Sequence, residues 1–377
     1  MERLFTIPAA AVAMGCMQPT PENYIIVSPM DCIEGQADIA IQAAIDSVFA
    51  MGGGTVHIDA GYYRTSATIQ LPCSDHMPVD LQWFAAVNVG VTLEGEGPEA
   101  TTIEKNFDGY AISSIGTSGN ERTHIGIKNL RATRNAADTN DNALIYWQYV
   151  DNSFIENVEL VDAYYHGFYQ DNSDNNKFTG ITVRQFGATT SDIGGIPLTV
   201  YGIASITCAE AEFVNILIDG ESVSKPSRLQ GFLIATTGSA LLTNIAIKNL
   251  TAAYWAIGAH ISGVDGVIAS NFIVTDCSTP LIDGEALGFI IAGDKHTFTG
   301  IVVSNIDNTT TAGFSTGLNI TGDGIVCSQV TVAGCSGTGI LISASADKTQ
   351  MTGVRTTGNG TNFTDSGTNT TAIIEDS

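Results

Sequence analysis

One short pattern recurs along most of the chain, and this repetition limits the fold more than any other feature of the sequence. Segments 263–277, 292–306, 321–335 and 345–359 each contain an Asp, then Asn, Gly or Gln, then apolar residues at alternate positions. Such alternation predicts a strand with one buried face. The first of these apolar residues recurs in ten units, 23 to 35 residues apart, at Val91, Ile125, Val158, Ile181, Ile216, Ile245, Phe272, Ile301, Val330 and Val354.

The residue before each aligned position is Asn or Gly in eight of the ten units. These residues adopt a left-handed backbone at the lowest cost, so we expect every unit to bend at this point. Asn side chains stacked at the bend can hydrogen-bond from one unit to the next. A Gly about fourteen residues earlier opens a second apolar strand in most units, as at Gly167, Gly202, Gly231, Gly288 and Gly339.

Units of this length cannot bury an apolar face alone and must stack on their neighbours. Strands stacked in register form a parallel coil with about 4.8 Å between turns. The sequence therefore predicts an all-β fold, a single-stranded right-handed parallel β-helix of about ten coils. Residues 37–50 predict an amphipathic helix that caps its open end, with four apolar residues on one face: Ile41, Ile45, Val48 and Phe49.

The predicted organisation has three parts: an N-terminal segment (1–36), the β-helix with its capping helix (37–360) and a polar C-terminal cap (361–377). The apolar region at the start of the chain is too weak to predict a convincing signal peptide. No apolar run reaches membrane-spanning length. The formal net charge of −24 disfavours nucleic acid and anionic membranes as partners.

The segment DIAIQAAIDSVFAMGGGTVHIDAGYYRTSATIQL (38–71) resembles the opening of pectate-lyase superfamily domains. In that family a helix, a Gly-rich turn and two strands lead into the coils, and Asp59 here stands where the family usually has Pro. The resemblance implies the right-handed parallel β-helix of the pectin-lyase-like fold, which phage tailspikes also use. It does not imply one chemistry, because the family includes lyases, glycosidases, epimerases and tailspikes.

An Asp also recurs, seven residues before the aligned position in six units: Asp151, Asp174, Asp265, Asp294, Asp323 and Asp347. We interpret this Asp column as Asx turns, in which each carboxylate bonds local backbone N–H groups. Carboxylates stacked one coil apart are also able to hold calcium. Calcium therefore stays open as a ligand, and no other metal or cofactor is expected.

Three connections, at 128–143, 184–201 and 219–230, are long and leave the coil at the same point. We expect them to project from one edge of the β-helix. A positive edge suits an acidic glycan, and scattered solvated side chains are the alternative. The three connections hold six of the fifteen basic residues: Lys128, Arg131, Arg134, Arg184, Lys225 and Arg228.

Aromatic residues lie in turns near two of the predicted strands. Tyr164 and Tyr165 precede Gly167, and Trp255 occupies a comparable turn later in the chain. Exposed rings along a rod suit an extended sugar chain, and ordinary turn packing is the alternative. The predicted substrate-binding residues are thus these three together with Arg131, Arg134, Arg184, Lys225 and Arg228.

His166 lies beside these tyrosines, with Asp162 before it and Asp171 after it, both outside the Asp column. A His between carboxylates can act as a general base near neutral pH, and a carboxylate pair can cleave a glycosidic bond. We therefore predict His166, Asp162 and Asp171 as catalytic residues. A His hydrogen-bonded within a turn is the alternative.

Two functions follow from these observations. The first is a tailspike-like protein that binds an extended, acidic polysaccharide and degrades it as a lyase or a glycosidase. The second is a non-catalytic structural or adhesive component of a virion appendage or cell-surface fibre. The catalytic patterns of polygalacturonases, pectate lyases and alginate epimerases are missing from the sequence, which favours the second. Both functions predict a virion or extracellular location, and the tailspike resemblance suggests a homotrimer.

Overall fold

The computed structural model describes residues 23–71, 90–135, 142–187, 199–220, 228–235, 237–252, 255–280, 284–308 and 314–375. A short 3-10 turn (Pro29–Asp31) and one α-helix, α1 (Ala37–Ala50), accompany the strands within these ranges. The strands are β1 (Asn23–Val27), β2 (Gly54–Ile58), β3 (Gly61–Thr65), β4 (Ile69–Gln70), β5 (Val91–Gly95), β6 (Thr101–Lys105), β7 (Ile112–Ile115), β8 (Arg122–Thr123), β9 (Gly126–Arg134), β10 (Ile145–Gln148), β11 (Val150–Asp151), β12 (Phe154–Val161), β13 (Phe168–Asp171) and β14 (Lys177–Arg184).

The strands of the second half are longer, up to twelve residues. They are β15 (Thr199–Ile206), β16 (Ala211–Asp219), β17 (Arg228–Ala235), β18 (Ala240–Thr251), β19 (Trp255–Asp265), β20 (Ile268–Thr279), β21 (Glu285–Asp294), β22 (Thr297–Asn308), β23 (Phe314–Ile320), β24 (Val326–Ala333), β25 (Thr338–Ile342), β26 (Gln350–Thr357), β27 (Thr361–Asp365) and β28 (Thr371–Glu375).

Consecutive coils contribute strands to two long parallel sheets. The fifteen-strand sheet runs β1-β2-β5-β9-β12-β14-β16-β18-β20-β22-β24-β26-β28, with β3 and β6 beside this path. The eleven-strand sheet runs from β4 and β7 through β10, β13 and then every odd-numbered strand to β27. The fold prediction is confirmed: the chain is a single-stranded right-handed parallel β-helix.

The predicted bend is confirmed within the fifteen-strand sheet. Asn215, Asn244 and Asn271 have φ of 56°, 56° and 54°, so the left-handed backbone falls where the sequence places it. Their amides form a ladder: Asn244 Nδ2 donates to Asn215 Oδ1 at 2.9 Å, and Asn271 Nδ2 donates to Asn244 Oδ1 at 3.0 Å. We call this the asparagine bend.

The alignment of the early units was wrong by five residues. Val158 pairs with Leu130 and not with Ile125, so Asn129 is the residue that stacks under Asn157. The reason is that β9 is long and has apolar residues on both sides of Asn129, so two alignments satisfy the same alternation.

Four carboxylates of the Asp column, those of Asp151, Asp174, Asp294 and Asp323, accept from a backbone N–H group of the neighbouring coil and not of their own turn. Asp151 accepts from the N–H of Asp174 at 2.8 Å, and Asp174 accepts from the N–H of Ala209 at 2.6 Å. Asp323 likewise accepts from the N–H of Asp347 at 2.8 Å. The Asx-turn interpretation is therefore corrected: these residues join successive coils.

The ends of the rod differ in extent from the sequence boundaries. Helix α1 covers the predicted residues, and Ile41, Ile45 and Val48 on its inner face are fully buried. Strand β1, however, already pairs with β2, and β27 and β28 continue both sheets to Glu375. Regular coils thus begin before residue 37 and extend past residue 360. No helix in the described part of the chain is long and apolar enough to cross a membrane.

The core is a column of inward side chains between the two sheets. Phenylalanine rings from successive coils contact one another along it, with centroid distances of 4.5 to 6.4 Å. The rings are Phe168, Phe178, Phe213, Phe232, Phe272, Phe289 and Phe298. A rigid scaffold of this kind fixes the position of every outward residue by its register.

Candidate functional site

The eleven-strand sheet bends where a glycine recurs in register, at Gly202, Gly231, Gly258, Gly288 and Gly317. A Cβ on Gly258 would lie 2.2 Å from Val274 Cγ1 and 2.4 Å from the carbonyl oxygen of Gly288. Real Cβ atoms do not approach so closely, so the bend requires residues without a side chain. We call this the glycine bend.

Two rows of outward side chains flank the glycine bend. Side chains next to the bend lie outside the main core cluster, yet Gln230, Leu233, Ile257 and Leu287 are only 4%, 7%, 7% and 7% exposed. Side chains on the two sides of the bend therefore shield one another. We define the recess by two rows: His166, Tyr201, Gln230, Ile257, Leu287 and Thr316 before the glycines, and Tyr146, Tyr169, Ala204, Leu233, His260 and Ile290 after them.

Tyrosine rings line the N-terminal end of the recess. Tyr110 stacks on Tyr146 with 4.6 Å between centroids, and Tyr146 stacks on Tyr169 at 5.8 Å. Tyr201 contributes a fourth ring at 6.4 Å from that of Tyr169. Tyr146 and Tyr169 occupy equivalent positions of β10 and β13, so strand register itself aligns the rings. We call these four residues the tyrosine cluster.

His166 is packed within the tyrosine cluster. Its ring centroid lies 5.3 Å from that of Tyr169 and 5.0 Å from that of Tyr201. The backbone N–H of Tyr201 donates to His166 Nδ1 at 3.0 Å, so the neutral ring carries its proton on Nε2. Burial lowers the pKa of His166 to about 3. This differs from the expected base near neutral pH, because a buried imidazole is costly to protonate.

The phenols of the cluster are also shifted. Burial raises the pKa of Tyr169 to about 12, and the nearby Asp171 carboxylate adds to the effect. Burial likewise raises the pKa values of Tyr110, Tyr146 and Tyr201. At neutral pH the cluster therefore presents protonated hydroxyls and ring faces, which suits hydrogen bonding and stacking with a neutral ligand surface.

The structure separates the three predicted catalytic residues. Asp171 lies beside the tyrosine cluster, where Gln148 Nε2 approaches its Oδ2 to 3.5 Å. Asp162 instead pairs with Arg134, whose Nη2 lies 3.3 Å from Asp162 Oδ1. Among the described contacts, none joins His166 to either carboxylate. The catalytic assignment of His166, Asp162 and Asp171 stays a prediction.

The basic residues differ from their predicted setting. Lys128, Arg131 and Arg134 lie on β9 and Arg184 ends β14, so these four are strand residues rather than projecting loop residues. Buried Glu159 pairs with Arg131 at 2.5 Å and with Arg184 at 3.4 Å. Such pairs cancel charge, and they lie on the fifteen-strand sheet, away from the recess. Lys225 lies outside the described residues.

The predicted aromatic residues fall into two settings. Tyr165 packs on His166, with 3.8 Å between ring centroids. Tyr164 lies under the Arg134 guanidinium at 5.3 Å, and Trp255 lies under that of Arg228 at 4.4 Å. Tyr164 and Tyr165 are half-buried, whereas Trp255 is 39% exposed. Trp255 is therefore the most exposed of the three, with one ring face covered by Arg228.

One group of side chains has metal-ligand spacing within the described residues. The ligand atoms of His57, Asp59 and Glu96 lie within 4.8 Å of one another. Calcium prefers oxygen ligands, and His57 Nδ1 is buried without the acceptor that usually orients a metal-bound imidazole. This group does not fit calcium, and calcium binding stays a prediction.

Sequence reasoning missed Tyr110 and Tyr201 and did not select Tyr146 and Tyr169 from the aromatic run. A usable signal existed for the last two, because Tyr146 and Tyr169 stand at the same offset from their strand starts. Tyr201 was assigned to a long connection, although it lies on β15 three residues before Ala204.

Comparisons with known proteins give local similarity in sequence. No protein-family model matches the chain. Mannuronan C5-epimerase AlgE6 of Azotobacter vinelandii is 38% identical over 107 residues, which is 27% of this chain and 11% of the epimerase. AlgE1 of the same organism is 36% identical over 83 residues, 21% of this chain and 6% of that protein. The chain thus matches only a small part of the length of these relatives.

Solved structures are similar over most of the chain at low identity. The A-module of A. vinelandii AlgE4 has a TM-score of 0.49 and 14% identity, covering 94% of this chain and 97% of the module. The catalytic domain of a GH87 alpha-1,3-glucanase with nigerose has a TM-score of 0.49 and 15% identity, covering 96% and 69%. ORF18 of Geobacillus virus E2 has a TM-score of 0.47 and 14% identity, covering 93% and 62%.

Proposed function

We propose that this protein binds an extended polysaccharide along the recess of the eleven-strand sheet. The observation that carries the proposal is the tyrosine cluster: four rings on neighbouring coils, two of them aligned by strand register, that keep protonated hydroxyls at neutral pH. Aromatic faces pack well on the C–H faces of sugar rings, and hydroxyls fix their orientation. A linear recess matches a linear polymer.

The local sequence similarity to mannuronan C5-epimerases supports a polysaccharide as the ligand. The acidity of the glycan stays a prediction. Three of the five basic residues expected to bind it are paired with carboxylates, which leaves them little free charge for a uronate.

The proposal includes a tailspike-like role at the surface of a virion or outside the cell, with a homotrimer as the expected assembly. A non-catalytic adhesive component is the form that the recess supports best. His166 does not titrate near neutrality and the cluster phenols are protonated, so the described recess lacks a ready base.

A second candidate function is cleavage of the bound chain. Asp171 favours it, because this carboxylate lies beside the tyrosine cluster and could accept a proton from a sugar hydroxyl or an attacking water. In this reading His166 positions the backbone of Tyr201 through its Nδ1 and acts on the reaction only indirectly.

Binding is tested by affinity electrophoresis in gels that contain mannuronan, alpha-1,3-glucan or bacterial capsular polysaccharides. We expect retardation by at least one polymer, and Tyr169→Ala to weaken that binding at least about tenfold, or about 1.4 kcal/mol. Tyr24→Ala is the matched control, because Tyr24 is an exposed tyrosine on the fifteen-strand sheet. Equal losses in both variants, or no retardation by any polymer, would refute the proposal.

Cleavage is tested on the same polymers after prolonged incubation. A new absorbance of unsaturated uronate indicates a lyase, and new reducing ends without it indicate a hydrolase. Asp171→Asn is expected to abolish either signal while leaving retardation in the gel intact. Binding without either product assigns the non-catalytic role.

A further inference from the structure

A second line of outward residues lies beside the recess. Arg228, Trp255, Glu285 and Phe314 open β17, β19, β21 and β23 and pair with one another in register. Each stands three residues before a glycine of the glycine bend. We call these four residues the outer row.

The outer row exposes two large rings. Trp255 is 39% and Phe314 is 75% exposed, and two coil steps separate them, a distance of about 10 Å. Most core aromatic residues of this chain are fully buried, so two solvent-facing rings in one register position are not explained by packing. Exposed aromatic surface of this kind marks a binding site more often than chance exposure.

Polar groups alternate with the rings. The Arg228 guanidinium lies 4.4 Å from the Trp255 ring centroid and covers one of its faces. Glu285 is half-buried between the two rings, and burial raises the pKa of its carboxyl. A carboxyl held there is a strong acceptor for a hydroxyl that arrives with a ligand.

The alternation of rings and polar groups along the outer row favours a sugar chain over a protein as the partner. Protein interfaces are depleted in Glu, whereas here Glu285 lies between the rings. A chain of pyranose rings offers C–H faces and hydroxyls in turn, which matches rings and polar groups in turn. The single-file arrangement along the rod axis also fits a linear polymer.

We infer that the outer row is a second contact for the polysaccharide, in which hydroxyl-bearing pyranose rings pack on Trp255 and Phe314 and a hydroxyl donates to Glu285. This inference rests on the proposed function. Three coil steps separate Tyr169 from Trp255 and five separate it from Phe314, distances of about 14 and 24 Å along the axis. A chain must exceed about 14 Å to reach both contacts and about 24 Å to reach Phe314, so binding must depend on chain length through effective concentration.

The experiment titrates size-fractionated oligomers of the polymer that the wild-type protein binds best among mannuronan, alpha-1,3-glucan and capsular polysaccharides. Wild-type affinity is expected to rise steeply between about 14 and 24 Å of extended oligomer length. Trp255→Ala and Phe314→Ala are expected to remove that rise, at least about tenfold for long chains, and to leave short oligomers within about twofold.

Three variants make the result specific. Phe314→Leu keeps apolar surface without a ring and is expected to behave like Phe314→Ala. Ile268→Ala is the matched control, because Ile268 is 57% exposed on the fifteen-strand sheet and is expected to change nothing. Tyr169→Ala is expected to weaken short and long oligomers alike, which separates the recess from the outer row.

Two results would overturn the inference. One is unchanged long-chain affinity in both Trp255→Ala and Phe314→Ala while Tyr169→Ala still loses binding, which leaves the proposed function standing alone. The other is a lower mass of these variants in sedimentation with unchanged glycan affinity, which assigns the outer row to contact between copies of the chain. Failure of every polymer to bind wild-type protein removes both proposals together.

Discussion

Each coil changes direction at two bends, and the two bends accommodate the close approach of neighbouring coils in opposite ways. The asparagine bend keeps its side chains, holds them at φ near 55° and joins them by amide hydrogen bonds. The glycine bend uses no positive φ at Gly258 or its neighbours and instead removes the side chain, because Val274 and the next coil occupy its place. One bend is filled with a hydrogen-bonded ladder, and the other leaves the outer surface recessed.

The contrast explains where a ligand can bind. Amides at the asparagine bend satisfy one another, and the nearby charged residues pair with opposite charges such as Glu159 with Arg131. Few polar groups of the described residues there remain available to a ligand. Rings and phenols collect beside the glycine bend, without a ladder that satisfies them. The proposed binding surface thus arises from the same repeat that builds an inert one.

The largest expected effect is at the glycine bend. Gly258→Ala places a Cβ within 2.4 Å of two heavy atoms of the core and the next coil, so coils must separate locally. We expect about 3 kcal/mol of lost unfolding free energy. Denaturant unfolding monitored by circular dichroism measures it. A loss below about 1 kcal/mol would show that the bend has room for a side chain.

A smaller effect is expected at the asparagine bend. Asn244→Ala removes two ladder hydrogen bonds and leaves a residue with a Cβ but no polar side chain at φ 56°. We expect a loss of about 2 kcal/mol in unfolding free energy. Asn244→Gly keeps the backbone free to adopt this φ and should cost less. The same denaturant measurement compares them, and an equal cost would assign the effect to the amides alone.

The burial of His166 predicts an effect of pH on stability. The pKa of His166 is about 3 in the folded chain and near 6.5 when unfolded. Below pH 6.5 the unfolded chain therefore binds the extra proton, and stability falls with decreasing pH by up to about 1.4 kcal/mol per unit.

The matched variant for this effect is His166→Gln, which retains an acceptor for the Tyr201 N–H. We expect the stability difference between wild-type and variant to shrink as the pH falls from about 7 to about 4, because only the wild-type loses stability to imidazole protonation. Unfolding midpoints across this pH range measure it, and parallel curves would contradict the assigned burial of the imidazole.

The smallest effect is expected where Gly occupies the asparagine bend. Gly353 has φ of 60°, and a Cβ there would lie 3.6 Å from its nearest neighbour, an ordinary contact. Gly353→Asn should stay within about 0.5 kcal/mol of wild-type in unfolding free energy. A cost similar to that of Gly258→Ala would erase the distinction between the two bends.

The fold was predictable because its rule is periodic. Alternation and the Asn or Gly column determine both strand faces and one bend in every coil, and the later units follow them apart from Gln329, which takes the place of Asn or Gly at the bend. The early register was not predictable, since β9 offers two equivalent alignments around Asn129. The local pattern does not distinguish between these two alignments, whereas pairing with the neighbouring coil does.

The site was predictable only in part. The residues three positions before the glycines of the bend lie in one outward row. The sequence was therefore sufficient to identify the members of this row, which are Arg228, Trp255, Glu285 and Phe314. The state of His166 was not, because its pKa depends on burial among rings from other coils. Pairing of Arg131 and Arg184 with Glu159 also depends on register between strands.

Four carboxylates of the Asp column join successive coils at or next to the turns that follow strands of the eleven-strand sheet. Each accepts a hydrogen bond from a backbone N–H of the next coil, as Asp323 does from Asp347. A protease that nicks one such turn therefore cuts the polypeptide without freeing either fragment. The nicked protein should migrate as one particle under native conditions and separate into two pieces only in denaturant.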